Sequence, residues 1–165
     1  LNNEKHRMFR KKLESRRWCG ITNRKNFTYD IEEIGNNYYM NEFSAAIGRI
    51  QLKKITKMNK IRQRIAKIYD KEFKIKNKIL FSEDCSYHIY WIMLKNRQKF
   101  MAKMSDVGIE TGIHYKPIHT MTFYKNSKIP TTEKIGKEIV SIPIHPNLEK
   151  TDVNKIVKYV NRFGE

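Results

Sequence analysis

Apolar side chains recur every three or four positions from Phe43 through Ala46, Ile47, Ile50, Ile55, Met58, Ile61, Ile65 and Ile68 to Phe73. Such a stripe commits the segment to a long amphipathic helix with one face buried. Asn41 stands where an N-cap is needed, so helix is expected over most of 41–77. A run of that length predicts a kink or break near Thr56–Asn59. Its outer face is basic, with Lys53, Lys57, Lys60, Arg64, Lys67 and Lys71 among the residues on it.

The period then changes. Ser86 to Lys95 is rich in Tyr, Ile and Trp and predicts a strand. Arg97 to Val107 predicts a helix stopped by Gly108, and Ile109 to Tyr115 a second strand. A loop is expected over 116–131, a short helix over Thr132–Val140 and an extended stretch over Ser141–Pro146. Thr151–Asp152 then caps a last helix running through Tyr159. Upstream of the long helix, the first fifteen residues read as helix and 16–40 as irregular and polar. The sum is an α/β arrangement, long helices packed on a small sheet.

The chain carries 34 Lys+Arg against 17 Asp+Glu, a formal charge of +17. That excess favours an anionic partner, although the joint abundance of Lys, Asn and Ile also fits a coding bias. The densest apolar stretch, Tyr87 to Leu94, is too short to span a membrane, and no signal peptide is visible. Two cysteines, Cys19 and Cys85, make neither a disulfide framework nor a zinc set, so a reduced cytoplasmic protein is expected.

Four histidines sit in the second half: His88, His114, His119 and His145. His114 and His119 are separated by Pro117, so no helix aligns them as metal ligands, and no metal site is expected. The segment Gly112-Ile113-His114-Tyr115-Lys116-Pro117-Ile118-His119 leaves a strand and is stiffened by proline. It suits either ligand contacts or a surface loop whose rings pack on their neighbours. Gly35-Asn36-Asn37-Tyr38-Tyr39-Met40-Asn41 precedes a helix, where amides and helix N–H groups attract phosphate; a plain capped turn reads equally well.

The wider context of these two segments resembles a known family. Tyr29-Asp30-Ile31-Glu32-Glu33-Ile34-Gly35-Asn36-Asn37-Tyr38-Tyr39-Met40-Asn41-Glu42-Phe43-Ser44-Ala45-Ala46-Ile47-Gly48, followed by Gln51-Leu52, is similar to the hallmark G-(Y/F)-N-(Y/F)-R-M-N-x-x-x-A-A-I-G-x-x-Q-L of the DegT/DnrJ/StrS family. The resemblance continues through Arg62–Tyr69, Ser86-Tyr87-His88-Ile89-Tyr90, Gly108–His119 and Ser141-Ile142-Pro143-Ile144-His145-Pro146. Arg16-Arg17-Trp18-Cys19-Gly20-Ile21 resembles a variant found in part of the family.

The resemblance implies the C-terminal portion of an aspartate-aminotransferase-like, fold type I enzyme that uses pyridoxal 5'-phosphate. Residues 1–55 would form the edge of the large cofactor domain and 56–165 the small domain. The implied reaction transfers an amino group, from glutamate, to a keto-deoxysugar carried on a nucleotide diphosphate. The Schiff-base lysine is expected upstream of this chain, so no catalytic residue is assigned here and the chain alone is expected to be inactive. A homodimer with shared sites is implied: Asn37, with Tyr38 beside it, would reach the cofactor phosphate of the neighbouring subunit. His114 and Tyr115, then His119 and His88, are the implied substrate contacts. Tyr39 departs from the arginine many members carry there, which puts any charge contact by that residue in question. The rival readings are a basic nucleic-acid-binding module, using the face from Arg49 to Lys78, and a noncatalytic family remnant.

Overall fold

The computed structural model describes residues 4–124 and 128–164. The first three residues of the opening helix, and 125–127 within the expected 116–131 loop, lie outside the described residues. The elements are α1 (Glu4–Arg17), β1 (Ile21–Lys25), β2 (Thr28–Ile31), α2 (Glu42–Glu72), β3 (Tyr90–Met93), α3 (Arg97–Asp106), α4 (Pro130–Glu138), β4 (Ile139–Ile142) and α5 (Lys150–Phe163). Two short 3-10 turns, Ile118–Thr120 and Thr122–Tyr124, precede α4. The chain divides into two compact units, one through Lys53 and the other from Lys54.

In the first unit, β1 and β2 form an antiparallel hairpin in which Ile21 faces Ile31 and Lys25 faces Thr28. This corrects the irregular reading of 16–40. Both strands are almost wholly exposed, so no apolar alternation marks them. Turn chemistry holds them instead. Asn26 and Asn23 both take positive φ, which asparagine tolerates, and Thr28 Oγ1 donates to the Lys25 carbonyl at 2.9 Å. The segment after the hairpin pairs with the end of α1. Asn36 N donates to Arg16 O (3.1 Å), Tyr38 N to Arg17 O (3.0 Å) and Cys19 N to Asn36 O (3.2 Å). Gly20, at φ +75, lets these backbones meet.

α2 is continuous across Thr56–Asn59, so the expected break is absent. No proline or insertion interrupts its hydrogen-bond ladder there. The buried core lies entirely in the second unit. Ile65, Ala66, Tyr69 and Phe73 of α2 and its C-terminal extension pack with Tyr90, Ile92, Val140 and Ile142 of the strands, Phe100 and Met104 of α3, and Val153, Ile156 and Val160 of α5. β3 and β4 are antiparallel, Tyr90 opposite Ile142 and Met93 opposite Ile139. Single bridges extend this pair on both sides, Lys78 to Ile92 and Gly112 to Ser141.

Three further expectations shift. The strand predicted over 86–95 is confined to 90–93. Tyr87, at φ +49 and fully buried, turns the chain, its hydroxyl accepting the Ser82 N–H at 2.5 Å and donating to Leu80 O at 3.3 Å. The strand predicted over 109–115 reduces to the Gly112 bridge, because His114 folds back and places its Nδ1 2.9 Å from Ser141 Oγ. The helix predicted over Thr132–Val140 runs from Pro130 to Glu138: proline presets the first helical φ, and β4 claims Ile139 and Val140. Gly108 stops α3 as expected, at φ +71, with Ile109 N donating to Met104 O at 2.9 Å. The last helix begins just before Thr151, and Asp152 Oδ2 accepts the Glu149 N–H at 3.0 Å.

Two core tyrosines should respond oppositely to loss of their hydroxyls. Tyr69 donates to Pro143 O at 2.8 Å, whereas the buried Tyr90 hydroxyl has no hydrogen-bond partner among the described residues. Tyr69→Phe is expected to destabilise by about 1 kcal/mol, since it strands a carbonyl and removes a net favourable bond. Tyr90→Phe is expected to be neutral or stabilising. Urea midpoints of the two variants decide the matter; a larger loss at Tyr90 contradicts it.

Candidate functional site

In the second unit, a cleft of about 530 Å3 is lined by His88, His114, Ser141, His145, Asp152 and Lys155, with the 108–112 backbone as one wall. The side chains arrive from several elements. His88 comes from the turn before β3, Ser141 from β4, His145 from the extended segment after it, and Asp152 and Lys155 from the first turns of α5. The cleft thus presents three imidazoles, an ammonium and two carboxylates, those of Glu110 and Asp152, around an apolar floor that includes Ile109, Ile142 and Ile156. Among the described residues no cluster of His, Cys, Asp or Glu could hold a metal ion.

Of the expected substrate residues, His88 and His114 share this cleft. His114 is held through Nδ1 by the buried Ser141, which leaves Nε2 as the nitrogen available to a ligand. Tyr115 does not line the cleft; it is 71% exposed and stands edge-on to the His114 ring at 5.0 Å. His119 does not line it either. Its Nε2 lies 3.5 Å from Glu133 Oε1, and Glu133 also accepts the Ile129 N–H at the start of α4. His145 belongs to the cleft, although the residue pattern singled it out for no role. Its signal was the two-residue period of an extended chain, which puts Ser141 and His145 on one face.

Asn37 and Tyr38 lie in the first unit. Asn37 forms a bridge with Trp18, and its side-chain oxygen accepts the Tyr39 N–H at 3.2 Å. That bond orients the amide, leaving the NH2 end to donate outward. Tyr38 is exposed, its hydroxyl accepting from Asn36 Nδ2 at 3.1 Å. Tyr39 packs edge-on against Trp18 at 4.9 Å. Nearby, Arg16 holds Glu33 at 2.7 Å, and that hydrogen bond lowers the Glu33 pKa from the ordinary carboxylate value. The loop is therefore rich in donors and suits an anionic oxygen.

A second cleft, in the first unit and of about 990 Å3, is lined by Lys11, Lys12, Arg17, Arg24 and Tyr39 together with Glu14, Glu32 and Glu33. Among the described residues no helix is long and apolar enough to cross a membrane.

Known proteins resemble this chain in sequence and in fold. The chain is 32% identical over 162 residues to the UDP-4-amino-4,6-dideoxy-N-acetyl-beta-L-altrosamine transaminase of Campylobacter jejuni serotype O:2, covering 89% of this chain and 43% of that protein. It is 31% identical to the dTDP-3-amino-3,6-dideoxy-alpha-D-galactopyranose transaminase of Aneurinibacillus thermoaerophilus, covering 79% of this chain and 38% of that one. Its structure superposes on Helicobacter pylori PseC, an aminotransferase involved in the biosynthesis of pseudoaminic acid, with a TM-score of 0.85 at 25% identity, over 99% of this chain and 47% of that one. The chain thus spans less than half the length of these relatives and has the fold of the corresponding part of them. Residues 4–161 match the model of the DegT/DnrJ/EryC1/StrS aminotransferase family, and the chain belongs to that family.

Proposed function

We propose that this chain is the part of a nucleotide-sugar aminotransferase that completes a partner's cofactor site through Asn37 and lines a sugar-nucleotide pocket with His88 and His114. One observation carries the reading: the Asn37 amide is held by the Tyr39 N–H so that its donor end stays open, on a loop anchored by backbone bonds to α1. That donor set fits a phosphate. An amide donor, the Tyr38 and Tyr39 hydroxyls and the Arg17 guanidinium all match anionic oxygen, and no carboxylate lies on the 35–41 segment. Asn37 and Tyr38 would hold the phosphate of pyridoxal 5'-phosphate. When bound, that group supplies an electron-withdrawing ring and an aldehyde for amine chemistry. The lysine that carries it lies, by the family resemblance, in the part of the relatives this chain does not span.

The chain's own residues bind and orient. His114, fixed through Nδ1 on Ser141, presents Nε2 to a sugar hydroxyl or phosphoryl oxygen. Lys155 adds a cation to the same cleft, which suits a nucleotide diphosphate. Tyr115, exposed beside the His114 ring, is a further contact in this reading. Residues 1–55 then serve as the edge of the large domain and 56–165 as the small domain. Glutamate is the proposed amino donor. A homodimer is supported by large apolar side chains left uncovered around the Asn37 loop, among them Met40, Phe43 and Ile47. Two free cysteines, Cys19 and Cys85, support a reducing cytoplasm.

Mixed dimers of the longer, cofactor-bearing polypeptide test the reading. In a dimer with one lysine-competent and one lysine-dead subunit, a single site works, and its Asn37 comes from the lysine-dead subunit. Asn37→Ala in that subunit should weaken cofactor retention by tenfold or more, since a hydrogen bond to a charged group is worth roughly 1.5–3 kcal/mol. The same change in the lysine-competent subunit should leave activity nearly intact. The reverse order refutes the shared site.

A further inference from the structure

We propose that Arg17 supplies the cation of the Asn37 loop, binding phosphoryl oxygen alongside the Asn37 amide. The inference rests on the reading of Asn37 as a phosphate donor and extends it to a residue twenty positions away in sequence.

The arginines at the end of α1 are not equivalent. Arg10 is paired with Glu14 at 2.8 Å, and Arg16 with Glu33 at 2.7 Å. Arg17 has no carboxylate within 4.0 Å among the described residues. Its guanidinium lies instead over the Tyr39 ring, 4.7 Å from the centroid, with Nη2 3.4 Å from the Tyr39 hydroxyl. Stacking on an aromatic face consumes little of the guanidinium's donor capacity, so its planar fork stays available for two oxygens of one phosphoryl group. The stack also orders a long side chain before any ligand arrives, removing part of the entropic cost of binding.

Position is the second argument. Arg17 and Trp18 are the residues whose backbone holds the loop. The Arg17 carbonyl accepts the Tyr38 N–H at 3.0 Å, and Trp18 bridges Asn37. Tyr39, two residues after Asn37 on the same extended segment, carries the guanidinium on its ring. Tyr39 stands where many family members have arginine, and here a guanidinium reaches that place from α1. Arg17 and Tyr39 also border the cleft of the first unit, where Lys11, Lys12 and Arg24 add positive charge. Two of the three carboxylates of that cleft are engaged elsewhere, Glu33 with Arg16 and Glu32 with Asn23 Nδ2 at 2.8 Å; Glu14 is hydrogen-bonded to Arg10 and also interacts electrostatically with Arg17. The buried Thr22 hydroxyl in the same wall has no hydrogen-bond partner among the described residues.

Phosphoryl oxygen could come from the cofactor's monoester or from the substrate's diphosphate. The experiment titrates the cofactor-free dimer of the longer polypeptide, in which the shared site is complete, with pyridoxine 5'-phosphate, which lacks the aldehyde and cannot condense with lysines, and separately with UDP. The readout is the Trp18 indole N–H in 1H–15N spectra, assigned with Trp18→Phe. Pyridoxine and uridine are the phosphate-free controls, and Arg64→Gln, an exposed arginine of α2, is the control for lost charge. Arg17→Gln should weaken binding of at least one phosphate by about tenfold or more, with Arg17→Lys restoring part of it and Arg64→Gln changing it less than about twofold. The ligand with the larger loss identifies the source. Unchanged hairpin resonances in Arg17→Gln show that the loop still folds; if they collapse, Arg17→Lys carries the comparison.

Equal behaviour of Arg17→Gln and Arg64→Gln, with Asn37→Ala still weakening binding, overturns the inference and leaves the Asn37 reading standing. A large Arg17 effect with none from Asn37→Ala supports the cation and overturns the Asn37 reading. Pyridoxine and uridine binding as tightly as their phosphates, or no phosphate binding at all, overturns both.

Discussion

Gly20→Ala is expected to unfold the first unit while the second keeps its structure. A Cβ at Gly20 would lie 1.8 Å from the Glu33 carbonyl oxygen and 2.9 Å from its carbon. Both are backbone atoms, so no side-chain rotation relieves the clash. The residue also sits at φ +75, where a Cβ costs roughly 1–2 kcal/mol. Overpacking adds roughly 1–3 kcal/mol. The unit has little to oppose this, since its strands are exposed and the buried hydrophobic cluster lies in the other unit. Gly35 faces the same crossing from the other side, its virtual Cβ 2.3 Å from Gly20 N. Hydrogen exchange reads the result. The amides of Cys19, Asn36 and Tyr38 should lose protection while Ile92 and Val140 keep theirs. Gly48→Ala is the contrast: it lies in α2 with nothing within 4 Å of its virtual Cβ, so helix propensity should stabilise by up to about 1 kcal/mol. Retained protection in Gly20→Ala contradicts the close-approach account.

Above pH 10 the second unit should lose stability steeply. Burial raises the pKa of Tyr69, Tyr87 and Tyr90 above the ordinary phenol value. Tyr69 and Tyr90 share one aromatic cluster, their rings 5.2 Å apart, so each phenolate would further oppose the other. The folded-state pKa is raised, so the contribution is fully present below the unfolded value near 10. It is lost as pH climbs toward the folded values, because the unfolded chain releases protons that the folded chain retains. Each tyrosine contributes a slope of up to about 1.4 kcal/mol per pH unit, so three give about 4. Against a typical domain stability of roughly 5–15 kcal/mol, a few pH units suffice for unfolding. Tyrosinate absorbance and near-ultraviolet circular dichroism, followed together, should show these three ionising only as tertiary structure is lost. The Tyr69→Phe/Tyr90→Phe double variant should show a shallower slope. Ionisation that runs ahead of the dichroism change would sink the account.

The long helix, α3 and α5 were legible because their signals are local. Each displays its apolar period and its stop or cap within one continuous segment, and Gly108 and Asp152 act within a few residues of where they stand. The hairpin was not legible, since neither of its strands has a buried face to impose alternation and only the asparagine turns mark it. Strand ends were misjudged for the opposite reason. Tyr87 and His114 carry strand-like composition, but a side-chain hydrogen bond, local for Tyr87 and distant for His114, takes each out of the sheet. The expected site residues were legible only in part. His88 and His114 do share a cleft, whereas His119 lies outside it, near Glu133 of α4.

By itself the sequence determined the family and the helices, which are written in short-range periodicity and ordered motifs, but not the hairpin or the bounds of the strands. Tertiary structure alone decided which side chains meet. Arg17 and Tyr39 stack because the end of α1 and the 36–38 segment exchange backbone hydrogen bonds, and His145 joins His88 and His114 because β4 lies against β3. Neither meeting has a periodic signature. Contacts between residues far apart in the chain depend on backbone pairings that composition and spacing do not encode.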